Sequence, residues 1–93
     1  MMDYTGVDTK ATGRRIRALR MEHKLTVAQI CDYLGYVSEK SVYKWQRGDC
    51  LPSIDNMYAL SALFNTPIDD ILRGSRYEED EKSSSQPLGS PDI

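Results

Sequence analysis

The chain's only tryptophan, Trp45, lies in the stretch GYVSEKSVYKWQRGD at residues 35–49, among lysine, arginine and tyrosine. A chain of 93 residues buries a modest core, so the placement of its largest apolar side chain constrains the fold strongly. As a strand, the stretch would put Tyr43 and Trp45 on one face and Val42 with Lys44 on the other, separating nothing. As a helix, at about 100° per residue, Val42 and Trp45 point one way while Lys40, Tyr43, Lys44 and Arg47 point the other. Ser38 is placed to cap its start, Glu39 falls in the first turn, and Gly48 follows Arg47 as a stop. The stretch reads as a helix over residues 38–47.

The rest of residues 9–74 has the same period. In ATGRRIRALRMEHKL, Ile16 and Leu19 make a narrow apolar stripe among Arg14, Arg15, Arg17 and Arg20. LTVAQICDYLG opens with Thr26 as N-cap and Gln29 three residues on, a capping-box pattern, and places Val27, Ile30, Cys31 and Leu34 on one face before Gly35. PSIDNMYALSALFN starts at Pro52 and Ser53, carries Ile54, Met57, Leu60 and Phe64 at helical spacing, and ends at Asn65. TPIDDILRG adds a short last helix, with Thr66 as cap, Pro67 first and Gly74 as stop. No segment alternates at period two, so the expected fold is all-α, with five short helices.

Outside this domain, residues 1–8 read as a loose N-terminal arm. SRYEEDEKSSSQPLGSPDI, residues 75–93, is acidic, then Ser-rich, then Pro/Gly-rich, and reads as a disordered tail. The net charge of −2 hides an asymmetry. Residues 10–48 hold nine basic against three acidic residues, whereas residues 49–93 hold three against nine. The electropositive half is the one that contains the Trp45 helix, which points to an anionic partner.

The composition also excludes classes of function. No run approaches eighteen apolar residues and no apolar stretch follows a basic N-terminus, so a cytoplasmic chain without a membrane span is expected. Cys31 and Cys50 lack a neighbouring Cys or His at ligand spacing, and His23 stands alone, so no metal site is expected. Asp69 and Asp70 read as first-turn helix charges. With no nucleophile–base pair and no phosphate-cradling glycine loop, neither catalysis nor a cofactor is expected.

The linked run RIRALR, LT opening the second helix, LG closing it, VYKWQRG and PSIDNMYAL resembles the phage-repressor and Cro type of helix-turn-helix, the Xre-like family of transcriptional regulators. The resemblance covers about residues 12–72. It implies double-stranded DNA as partner, residues 26–34 as the first helix of the motif, and residues 38–47 as a recognition helix in the major groove. By position, it makes Glu39, Lys40, Ser41, Tyr43 and Lys44 candidates for contacts at or near the bases. The outward face derived above selects Lys40, Tyr43 and Lys44 independently. Lysine can donate to guanine O6 and N7, glutamate can accept from cytosine N4, and Tyr43 can meet a thymine methyl or a phosphate. Arg47 and Ser53, at the start of the fourth helix, are placed for phosphate contacts that fix register, with Arg14, Arg15 and Arg17 as further candidates.

Three positions depart from the family pattern. Val27 stands where a glutamine usually bonds the DNA backbone, so Thr26 or Gln29 has to supply that contact. One residue, Tyr36, is inserted between the two motif helices. Gln46 replaces a glutamate that commonly pairs with an arginine of the first helix, so a neutral-acceptor hydrogen bond from Arg20 to Gln46 is expected. A homodimer on a two-fold site is the expected assembly, with Ile68, Ile71 and Leu72, extended by Tyr77, as its surface, although apolar residues of this kind equally suit the core. The rival reading is a protein-interaction module, antitoxin-like or adaptor, on the same fold.

Overall fold

The computed structural model describes residues 6–74. Within them run α1 (Thr9–Glu22), α2 (Val27–Leu34), α3 (Glu39–Arg47), α4 (Ile54–Phe64) and α5 (Ile68–Ile71). Each helix contributes to one core: Ile16 and Leu19 from α1, Val27 and Ile30 from α2, Val42 and Trp45 from α3, Met57, Leu60 and Phe64 from α4, and Ile71 from α5. Burying each of these side chains contributes roughly 1.5–3 kcal/mol. The α3 helix sits between α1 and α2, so the face opposite Trp45 is left to solvent.

The helix ends follow the capping chemistry expected from sequence. Thr26 Oγ1 accepts from Gln29 N while Gln29 Oε1 accepts from Thr26 N, a closed capping box. Ser38 and Ser53 cap α3 and α4 through Ser41 N and Asn56 N. Gly48 (φ 81°) and Asn65 (φ 51°) end α3 and α4 in the left-handed region.

One expectation about apolar faces fails, and one open choice is decided. Ile54 does not belong to the buried stripe of α4; it is 85% exposed, because the core-facing row begins one turn later at Met57. Ile71 is not surface; it is fully buried, leaving Ile68 and Leu72 half-exposed beside it.

The last helix is shorter than the sequence suggests. Pro67 takes the cap position with no side-chain cap bond, and the Thr66 hydroxyl instead donates to Phe64 O at 2.9 Å. Gly74 is no helix stop, since Leu72 is already extended and Gly74 forms an antiparallel bridge with Val7. That bridge also corrects the N-terminus, because the loose arm expected over residues 1–8 does not include residues 7 and 8. Asp8 N donates to Arg73 O at 2.6 Å, and the Asp8 carboxylate caps α1 at Ala11 N. The tail read over residues 75–93, with Tyr77, lies outside the described residues.

Candidate nucleic-acid interface

The α3 helix divides by face as its spacing requires. Val42 and Trp45 are buried, whereas Glu39, Lys40, Tyr43 and Arg47 are exposed and Ser41 and Lys44 are half-buried. The helix is held rigidly at both ends. Ser41 N donates to Ser38 Oγ at 3.2 Å, the two serine hydroxyls lie 3.1 Å apart, and Asp49 N returns to Lys44 O at 2.9 Å.

Its crossing with α1 is close because Gly13 lacks a side chain. A Cβ there would fall on the carbonyl oxygen of Trp45 and lie 2.6 Å from that of Gln46. At the far end, a Cβ on Gly48 would sit 2.7 Å from Lys10 Cα, and Lys10 Nζ donates to Arg47 O at 3.4 Å. Arg20 closes the crossing by donating from Nε to Gln46 Oε1.

The other candidates sit at helix starts. Thr26 and Gln29 are exposed in the first turn of α2, with Thr26 Oγ1 and Gln29 Oε1 engaged in the capping box. The Gln29 amide nitrogen keeps its donors for a partner. Ser53 is exposed, and its hydroxyl, while accepting from Asn56 N at 3.2 Å, keeps a proton to donate. Val27, at the position where the family resemblance expects a DNA-contacting glutamine, is buried in the core. Tyr36, the inserted residue, is fully exposed in the turn ahead of α3.

Electrostatically the outward face is basic with one internal neutralisation. Arg47 Nε and Nη2 both reach Asp49 Oδ2, at 3.0 and 2.9 Å, with both side chains exposed. Among the described residues no carboxylate pairs with Lys40 or Lys44. Of the arginines on α1, Arg15 is committed to structure, its Nε donating to Asp70 O at 2.9 Å. Cys31, on α2, has its thiol pushed up by partial burial first, then by the charges of Glu39 and Asp32.

Sequence reasoning missed residues that hold the frame together. Thr12 is fully buried, and its hydroxyl accepts from Arg73 N at 2.9 Å and donates to Arg73 O at 3.4 Å. Nothing in local spacing flags a threonine 61 positions from its partner. The Asp8 cap was legible in principle, as an aspartate three residues ahead of Ala11.

Comparison with known proteins places this arrangement. The family model HTH_3, helix-turn-helix, matches residues 16–71. The HTH-type transcriptional activator BcrR of Enterococcus faecalis is 32% identical over 60 residues, covering 64% of this chain and 29% of BcrR. The chain spans less than a third of the length of the curated relatives it matches. In fold it is similar to the restriction-modification controller protein C.AhdI of Aeromonas hydrophila, with TM-score 0.62, 22% identity, and 69% of this chain and 96% of that one covered. It is likewise similar to the BldD DNA-binding domain of S. venezulae, with TM-score 0.60, 21% identity, and coverage of 70% and 96%. No helix among the described residues is long and apolar enough to cross a membrane. With the match running from Ile16 in α1 to Ile71 in α5, the chain belongs to the HTH_3 helix-turn-helix family, the Xre-like regulators.

Proposed function

We propose that this chain is a sequence-specific, double-stranded DNA-binding transcriptional regulator, with α3 as its recognition helix in the major groove. The observation that carries the reading is the division of α3, with Trp45 and Val42 fixed in the core and Lys40, Tyr43 and Lys44 facing outward. A helix anchored in this way presents donors to base edges at little entropic cost. Lys40, Lys44, Glu39, Ser41 and Tyr43 read bases or lie beside them. Arg47, Thr26, Gln29 and Ser53 hold phosphates and set the register. With Val27 buried, the Gln29 amide is the group of α2 best suited to a phosphate. The chain needs no cofactor for this and performs no chemistry on the DNA.

One such helix reaches few bases, so we include a homodimer in the proposal. Its surface is the apolar groove of about 290 Å³ lined by Val7, Leu51, Ile54, Met57, Ile68 and Leu72, not Ile71. Ile54 lines that groove and is exposed, and Ile54→Lys is expected to leave the fold intact while shifting sedimentation equilibrium to monomer.

Selection of bound fragments from a genomic library tests the DNA reading. A common motif and a steep loss of affinity between about 50 and 200 mM salt are expected. No retention of any fragment at low salt ends the reading and favours a protein-interaction module.

A further inference from the structure

The structure brings together a basic stripe and the point from which the acidic segment departs. Lys10, Arg14 and Arg17 stand at positions i, i+4 and i+7 of α1, so they share one face, and all three are exposed. Among the described residues no carboxylate pairs with any of them. The first turn of α1 holds no acidic residue, leaving its positive end complemented by the Asp8 cap alone. The stripe begins beside the recognition helix, since Lys10 touches Gly48 and donates to Arg47 O.

Gly74 is tied to Val7, three residues ahead of Lys10. A bridge of about 5 Å and three Cα steps of about 3.8 Å put Lys10 within about 17 Å of Gly74. The sequence that follows Gly74 is SRYEEDEK, with four consecutive acids at residues 78–81. At roughly 3.3–3.6 Å per residue, the first of them reaches about 13 Å from Gly74 and the last about 24 Å. That span is long enough for the run to reach Lys10 and Arg14.

We propose that the acidic run at residues 78–81 docks on Lys10 and Arg14 of α1, beside the C-terminal end of α3, and lowers the chain's affinity for duplex DNA. The second half of this statement rests on the DNA-binding reading; the docking does not. Carboxylates placed there oppose the positive field of Lys10 and Arg14 and compete with phosphates for it. DNA has to displace the run, so the penalty falls on weak, nonspecific sites as much as on specific ones and raises the threshold for binding. The effect fades with salt, because both the docking and the competition are screened.

The test compares the full chain with a variant carrying Glu78→Gln, Glu79→Gln, Asp80→Asn and Glu81→Gln. Amide ¹H–¹⁵N spectra without DNA at low salt are expected to differ at Lys10, Arg14 and Gly48, and to converge at about 0.5 M salt. Affinity for a random-sequence duplex is expected to rise at least about threefold in the variant near 50 mM salt. Superimposable spectra at those amides overturn the docking, even if affinity rises, because long-range charge alone would then account for it. Spectral differences with no duplex binding by either protein sustain the docking and overturn the DNA reading.

Discussion

Arg20 Nε donates to Gln46 Oε1 at 2.9 Å across the α1–α3 crossing, while Arg20 Nη1 reaches Leu25 O at 2.9 Å. The guanidinium thus ties α1 both to α3 and to the loop ahead of α2. The neutral amide does what a carboxylate would do geometrically, without a buried charge pair. Gln46→Ala is expected to cost about 1–2 kcal/mol in urea unfolding, since it strips a half-buried cation of one acceptor. Gln46→Glu is expected to change stability by less than about 1 kcal/mol. A loss on Gln46→Ala below about 0.3 kcal/mol contradicts the role assigned to this bond.

Gly13 is the second element of that crossing. Gly13→Ala should gain about 1 kcal/mol of helix propensity, yet the new methyl falls on the Trp45 carbonyl. Forcing α1 from α3 costs more, typically 1–3 kcal/mol or above, so net destabilisation is expected by thermal unfolding. Trp45→Ala, which empties the core beneath α3, is expected to cost about 3–5 kcal/mol and to abolish folding or nearly so.

The buried Thr12 hydroxyl provides a separate check on how the domain closes. Thr12→Val keeps the volume but removes the acceptor for Arg73 N and the donor to Arg73 O. A loss of about 1–3 kcal/mol is expected, with faster amide exchange at Arg73 as its local signature.

For the DNA reading, Lys44 and Arg47 should separate by kind of effect. Lys44→Ala is expected to relax preference at one base position by about 1–3 kcal/mol, whereas Arg47→Ala weakens all duplexes alike and lowers the salt slope by about one unit. Asp49→Asn releases Arg47 from its only carboxylate partner among the described residues. Because that exposed pair contributes at most about 1 kcal/mol to stability, the variant should fold normally and bind nonspecific duplex more tightly.

Cys31 and Cys50 should differ in alkylation. Burial and the charges of Glu39 and Asp32 hold the Cys31 proton on, so its thiolate fraction is depressed. Its folded-state value lies above the unfolded one, so the stabilisation is present below the ordinary thiol range and is lost as pH rises through the folded value. Exposed Cys50 is expected to react with iodoacetamide first near about pH 8, with Cys31 following as pH rises. Mass spectrometry of the two peptides decides it; equal rates across the range contradict the shift.

The sequence by itself determined the helices, their caps at Thr26, Ser38, Ser53 and Asn65, and the two faces of α3, because helical period and capping are local properties. The resemblance added the Arg20–Gln46 bond by position. What only the tertiary structure decided depends on groups far apart in the chain. The Val7–Gly74 bridge, the Thr12 clamp on Arg73 and the close approach at Gly13 need α1, α3 and the segment after α5 in place together. The same holds for Ile54, which opens α4, and Ile71, which closes α5, both apolar and opposite in burial. Spacing shows that a residue is apolar and on a stripe; only the packed neighbours determine whether that stripe reaches the core at its position.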